Sequence, residues 1–255
     1  MSIFCDDLES DVSPDRRRHR GAHPNDRELF SAEQVVTLRR AVHELCWLLS
    51  RGYKITSALK LVGDRHGLRE RQRIAVSRCA CSEQDRQQRK HHRVAVEQLR
   101  GQDVTIDGFN LIITLEAALS GGPLLIGIDD CIRDLSSVHG SYRSVDETEQ
   151  AIDLAGQALE QLAPSSVRWF LDRPVSNSGR LAARITELAT RHDWPWEVEV
   201  VFNPDAAIIA AGGVAITSDS AILDSVERWA DLKSYLIARE ISDAWQIDFR
   251  TPLIQ

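Results

Sequence analysis

Five places in this 255-residue chain put an aspartate where a run of strand-forming residues gives out. Val104-Thr105-Ile106 leads into Asp107, residues 124–128 into the pair Asp129 and Asp130, and residues 167–171 into Asp172. Residues 198–202 lead toward Asp205, and residues 214–217 toward Asp219. Helical patterns separate most of these runs, which predicts a largely parallel sheet. Open α/β sheets hold their ligands beyond the carboxyl ends of the strands. Acids distant in sequence would then meet along one edge. Carboxylates gathered in this way repel one another, and a hard cation such as Mg²⁺ or Mn²⁺ relieves that repulsion.

Four local patterns surround these acids. In Ile106-Asp107-Gly108-Phe109-Asn110 an acid ends a strand, a glycine permits a tight turn, and Asn110 opens a helix, where it caps or reaches the same ligand as Asp107. Asp129-Asp130-Cys131-Ile132-Arg133-Asp134 is followed by His139-Gly140-Ser141-Tyr142-Arg143. Arg133 and Arg143 suit a phosphate held bidentately, and equally an arginine–aspartate network that fixes the loop. After Asp172, the residues Ser176, Asn177, Ser178 and Gly179 enter a helix whose free N–H groups would serve either an anion or an ordinary cap, with Arg173 and Arg180 adding charge. Finally, Asn203-Pro204-Asp205 precedes an apolar run that closes on Thr217-Ser218-Asp219-Ser220.

The elements that must position these residues divide at about residue 100. Residues 1–27 are rich in Asp, Arg, Ser and Pro and predict a disordered tail. Residues 28–100 predict a small all-helical module. Ser31 with Gln34 suggests a capping box, and Val35, Leu38, Val42, Leu45, Leu48 and Leu49 recur at helical spacing. Further helices are expected from Thr56 to Gly63 and over residues 68–80 and 85–99. From residue 101 to 255 the texture is βα alternation, ending in a helix over residues 221–241 and an edge strand over 245–249. The net charge of -7 conceals an excess of basic residues before residue 100 and of acidic residues after it. That asymmetry suits a polyanionic partner, with Arg69, Arg73 and Arg78 contacting a nucleic-acid backbone. Its bland alternative is a solvated helix face or arginines paired with the acidic half.

Other function classes are disfavoured. No apolar run approaches the roughly 20 residues that cross a bilayer, and the amino-terminal residues lack a signal-peptide layout, so a cytoplasmic protein with no membrane partner is expected. The 5 cysteines are odd in number and predict no disulfide framework. Cys79-Ala80-Cys81 is spaced more tightly than paired zinc cysteines usually are, which favours a basic helical segment with His91-His92 over a zinc site. Cys131 reads as a buried thiol.

The strand, Asp107-Gly108, aromatic, Asn110 sequence resembles the opening of PIN-like nucleases of the NYN branch. Asp205 at the start of a short helix, then an apolar strand closing on Thr217-Ser218-Asp219, is similar to the end of such a domain. The resemblance covers about residues 102–222. It implies a PIN-like three-layer sandwich with a mostly parallel sheet. It also implies a metal-dependent ribonuclease or related phosphodiesterase, with Asp107, Asp205 and Asp219 holding Mg²⁺ or Mn²⁺. Asp130 or Asp172 would be a further acid, and Asn110, Arg133, His139, Arg143 and the Ser176-Asn177-Ser178-Gly179 loop would meet an RNA substrate. The acid such domains carry on a middle helix has several candidates here (Glu116, Asp129, Asp130 and Asp134). Ser220-Ala221 stands where a further acid or aromatic is usual. A non-catalytic RNA- or nucleotide-binding protein on the same fold is the alternative. The whole chain also resembles a family joining a helical domain of unknown function to an α/β part, through Gly52-Tyr53-Lys54, Leu68-Arg69-Glu70-Arg71, Ile132-Arg133-Asp134 and Pro174-Val175-Ser176-Asn177.

Overall fold

The computed structural model describes residues 19–136 and 142–250. The helical part comprises α1 (Asp26–Leu29), α2 (Ala32–Leu49), α3 (Ile55–Arg65), α4 (Glu70–Cys79) and α5 (Glu83–His92), followed by a 3₁₀ turn over Val96–Leu99. Ser31 caps α2 by accepting from the Gln34 N–H at 3.5 Å. The other half of the expected capping box does not form, because the Gln34 side chain instead accepts from Gln72 at 3.2 Å. Leu38, Val42 and Leu45 of α2 pack with Val62, Ala75 and Val76 into one buried cluster. Residues 19–27, expected within a disordered tail, are mostly exposed but anchored at two points: Asp26 is fully buried beneath Arg71, and Arg20 pairs with Glu116. Residues 1–18 of that expected tail lie outside the described residues.

The α/β part runs β1 (Asp103–Asp107), α6 (Gly108–Leu119), β2 (Leu124–Ile126), β3 (Ile132–Asp134), α7 (Thr148–Leu162) and β4 (Ser166–Asp172). It continues with α8 (Ser178–Arg191), β5 (Trp196–Val201), α9 (Pro204–Ala211), β6 (Val214–Ile216), α10 (Ser220–Leu223), β7 (Trp229–Ala230), α11 (Leu232–Glu240) and β8 (Gln246–Asp248). Five strands form an all-parallel sheet in the order β5-β4-β1-β6-β7. Successive residues of a strand face opposite sides. Val167, Trp169 and Leu171 of β4 accordingly join the cluster under α6, α7, α8 and α11, while Phe170 joins Ile208, Ile222 and Trp229 on the other face. The result is a three-layer α/β/α arrangement with helices on both faces of a mostly parallel sheet. Among the described residues no helix is long and apolar enough to cross a membrane.

Three expectations change at this level. Residues 124–128 do not supply a strand of the main sheet. β2 lies in a separate sheet of order β3-β2-β8, antiparallel to β3 and parallel to β8. The turn between β2 and β3 closes through Gly127 N–H to the Cys131 carbonyl at 3.0 Å, and carries Asp130 at φ 64°. Asp129 and Asp130 are therefore hairpin-turn residues rather than acids at a parallel strand's end. Leu124 joins the cluster of the α/β layers and Leu125 that of the helical part, so this small sheet is the seam between them. The helix expected over 221–241 is instead α10, the short strand β7 and α11, restarted by Asp231, which accepts from the Ser234 N–H at 2.9 Å. The helix expected over 85–99 is interrupted where Val94 N–H donates to the Trp229 carbonyl at 2.8 Å.

Close approach rather than turn geometry explains Gly156. A Cβ there would lie 2.0 Å from the Trp194 ring. That ring is sandwiched against His192 and Trp196, with centroids 4.5 and 4.7 Å away, and cannot swing aside without breaking both stacks. Gly156→Ala should therefore destabilise the protein by about 1–3 kcal/mol, although alanine is the better helix former by about 1 kcal/mol. The urea midpoint measures this; a variant as stable as the parent would show that the stack yields freely.

Candidate active site at the carboxyl edge of the sheet

The chain leaves β1 toward β4 and β5 on one side and comes back to β6 and β7 on the other. The reversal falls between β1 and β6, the crevice where parallel sheets of this kind bind ligands. Asp107 ends β1, and Thr217-Ser218-Asp219 follow β6. Asp172 ends the neighbouring β4, and Asp205 lies in the first turn of α9 after β5.

Asp107 is half-buried and caps α6. One carboxylate oxygen accepts from the Asn110 N–H at 3.3 Å and the other from the Thr217 hydroxyl at 3.0 Å. Gly108 is required next to it, since a Cβ would stand 2.7 Å from the Leu171 side chain and 3.1 Å from the Phe170 carbonyl. Burial pushes the Asp107 carboxyl up to about 6 and the Asp219 charge adds to this, while its two hydrogen bonds and Lys233 act the other way. Asp219 caps α10, accepting from the N–H groups of Ala221 at 2.8 Å and Ile222 at 3.4 Å. Its own N–H donates to the Thr217 hydroxyl at 3.0 Å, so Thr217 links the two acids. Burial raises the Asp205 carboxyl, and the charges of Asp219 and Asp172 raise it further; burial alone raises Asp172. Among the described residues none of these four acids has an ion-pair partner within 4.0 Å.

Asn110 does not point outward. Its side-chain oxygen accepts from the Ser218 N–H at 2.8 Å, the Ser218 hydroxyl at 3.2 Å and the Lys233 ammonium at 2.7 Å. Lys233 is only 2% exposed. Burial lowers its pKa, against the pull of Asp231 and Asp134. It also donates to the Ser218 hydroxyl, and so ties α11, α6 and the β6 loop together beneath the acids. The sequence reading missed Lys233. Its signal is a lone lysine in the apolar run Leu232-Lys233-Ser234-Tyr235-Leu236-Ile237.

Arg133 is a strut rather than a phosphate hook. Its guanidinium is buried, gripping Asp129 through two bonds of 2.8 and 2.7 Å and donating from Nε to the Ser218 carbonyl at 2.9 Å. Arg89 holds the same Asp129 at 2.6 Å and reaches Asp224 at 2.7 and 2.9 Å. Burial alone would raise the Asp129 carboxyl; the two arginines outweigh it and hold it down to about 2. Asp130 pairs with Arg250 at 2.8 Å on the hairpin turn, apart from the other acids. Glu116 is fully buried beneath Arg20, Tyr142 and Thr148, which removes it as a middle ligand.

The loop after Asp172 is tied to the segment before α7. Tyr142 N–H donates to the Ser176 carbonyl at 3.1 Å, and the Asn177 amide donates to the Tyr142 carbonyl at 2.8 Å. Asn177 takes a left-handed φ of 69°, Ser178 is buried, and Gly179 opens onto free space. Arg143 is exposed, and its carbonyl accepts from Arg20 at 2.9 Å. His139 lies outside the described residues. The arginines expected to meet a nucleic-acid backbone are engaged within the chain. Arg69 pairs with Glu28 at 3.0 Å, Arg73 pairs with Asp64 at 2.8 Å, and Arg78 donates to the Asp134 and Ser136 carbonyls.

Among the described residues no three Asp, Glu, His or Cys side chains converge closely enough to hold a metal ion. A closed three-carboxylate cage is therefore not built. Asp107 and Asp219, oxygen donors that feel each other's charge, fit the looser manner in which Mg²⁺ takes one or two carboxylates and completes its shell with water and phosphate oxygens.

Comparison with known proteins follows the same division of the chain. Residues 37–92 match a family described as a protein of unknown function (DUF434), and residues 96–235 one described as a domain of unknown function (DUF5616). An uncharacterized protein of Methanocaldococcus jannaschii is 31% identical over 190 residues, covering 74% of this chain and 90% of its own length. No solved structure matches. With more than half of its length matched over residues 96–235, and Asp107, Asp172, Asp205 and Asp219 all inside that match, the chain belongs to the DUF5616 family.

Proposed function

We propose that this protein is a metal-dependent phosphodiesterase acting on RNA, working at the carboxyl edge of its five-stranded sheet. One observation carries the reading: Asp107 and Asp219 flank the β1/β6 crossover, Asp172 and Asp205 follow β4 and β5 along the same carboxyl edge, and no basic side chain pairs with the four among the described residues. The PIN-like pattern of Asp107-Gly108-Phe109-Asn110 and Thr217-Ser218-Asp219 supports it. Asp107 and Asp219, with Asp205 beside them, would hold Mg²⁺ or Mn²⁺. When bound, such an ion acidifies water and draws charge from a phosphate. The chain's own residues do the rest. Thr217 orients Asp107, while Lys233 and Asn110 fix the Ser218 loop that carries Asp219. Asp172 has raised proton affinity and would accept the proton of an attacking water. The open Gly179 at the start of α8 leaves room for a phosphate near the Asp172 loop.

The lack of a closed ligand set among the described residues favours a second reading, in which the same edge binds RNA or a nucleotide without cutting it. Incubation of single-stranded and structured RNA with Mn²⁺ or Mg²⁺ separates the two. Cleavage that chelator abolishes, and that Asp219→Asn lowers by about 100-fold or more, is the expected result. Intact RNA at every metal concentration tried would move the assignment to the binding reading.

A further inference from the structure

A second cluster of charge lies on the seam between the helical and α/β parts, and it is basic. A cavity of about 400 Å³ is lined by Arg86, Lys90 and Arg93 from α5 and the segment after it, by His43 of α2, and by Asp130 and Arg250. Neighbouring hollows of about 540 and 270 Å³ share Lys90 with Arg93, and Arg93 with Asp130 and Arg250, respectively; the larger is lined also by the acids Glu97 and Asp231. The first cavity alone is of the size that holds a small ligand.

Its cations are unevenly matched. Arg250 is held by Asp130 and Asp248, at 2.8 and 2.7 Å. Arg93 meets Asp231 only at 3.4 Å, and Arg86 meets Glu83 at 3.6 Å on its own exposed helix face. Lys90 has no ion-pair or hydrogen-bond partner among the described residues. Asp129, in the cavity floor, is already neutralised by Arg89 and Arg133. The cavity therefore carries surplus positive charge.

We infer that this cavity binds a phosphate-bearing anion of nucleotide size, with Arg86, Lys90 and Arg93 gripping the phosphates. The inference does not depend on the acidic edge, from which the buried Arg133–Asp129–Arg89 network separates it. Free nucleotides and an RNA strand both offer that phosphate.

The test is calorimetric titration of the full chain with inorganic tripolyphosphate and with ATP. Three proteins are compared: the parent, Arg86→Gln/Lys90→Gln, and a control, Lys54→Gln/Arg100→Gln, which removes the same charge elsewhere. Saturable binding by the parent, weakened roughly tenfold or more in the first variant and unchanged in the control, is expected. Arg86 and Lys90 are exposed, so both variants should melt with the parent. Displacement of bound ATP by a short single-stranded RNA would assign the phosphate to a strand, and failure to displace it would assign a free nucleotide. Absent binding, or equal weakening in both variants, overturns the inference.

Discussion

Asp129→Ala should lower the unfolding free energy by about 3–5 kcal/mol, the range found when one partner of a buried ion pair is removed. Among the described residues Asp129 alone grips the two terminal nitrogens of Arg133, at 2.8 and 2.7 Å, and both groups are buried. Arg89 keeps Asp224 when Asp129 is lost, but Arg133 keeps only the Ser218 carbonyl and becomes an uncompensated buried charge. The pH dependence has a definite sign. The folded Asp129 carboxyl is held at about 2, below its ordinary 3.8. Its stabilising contribution is complete above the ordinary value and is lost as the pH falls through about 2. Urea unfolding at neutral pH should show the full loss in the variant. Unfolding at successively lower pH should show the parent losing a component that the variant never had. Equal midpoints at neutral pH would remove the network from the account of stability. Because Arg133 also holds the Ser218 carbonyl, one residue before Asp219, the variant should lose activity beyond its loss of folded protein.

The acids at strand ends were legible because their signal is local. A strand run, an aspartate and a glycine or cap residue stand within a few positions at Asp107 and at Asp219, and the sheet places both at the β1/β6 crossover. What the local pattern lacked was partnership. Residues 124–128 have the composition of a core strand, yet β2 pairs with β3, within ten positions of it, and with β8, more than a hundred positions away. Asp129 and Asp130 went with it. The same limit hid the buried charges. Nothing within α5 distinguishes Arg89, gripped by Asp129 and Asp224, from Lys90, which faces the basic cavity. Lys233 reads as a surface lysine until Asn110 and Ser218 are seen to enclose it. Charge asymmetry between the two halves of the chain was real, but much of it is consumed by ion pairs across the seam, such as Arg89–Asp224 and Arg93–Asp231.

Asp107→Asn should abolish RNA cleavage and leave the protein more stable at neutral and alkaline pH. The two halves of that expectation have one cause. A carboxyl raised from 3.8 to about 6 prefers its proton in the folded state. Stability is therefore greatest below the ordinary value, falls as the pH rises toward about 6, and carries the full penalty above it, on the order of 3 kcal/mol. Asparagine removes the charge and keeps an oxygen to accept from the Asn110 N–H. Its amide must face the Thr217 hydroxyl, which now donates to Asp107 and accepts from the Asp219 N–H. That rearrangement takes back part of the gain, so the net stabilisation should be about 1–2 kcal/mol. In metal-free buffer the variant should be slightly the less stable in mild acid, where Asp107 is protonated and only the cost of rearrangement remains, and the urea midpoints should cross as the pH rises toward about 6. A variant that is less stable at alkaline pH would make Asp107 a structural cap. Cleavage that survives the substitution would instead remove it from the catalytic centre. A position that gains stability while losing function is the sign of a residue kept for chemistry, and neither readout alone would distinguish that from a damaged fold.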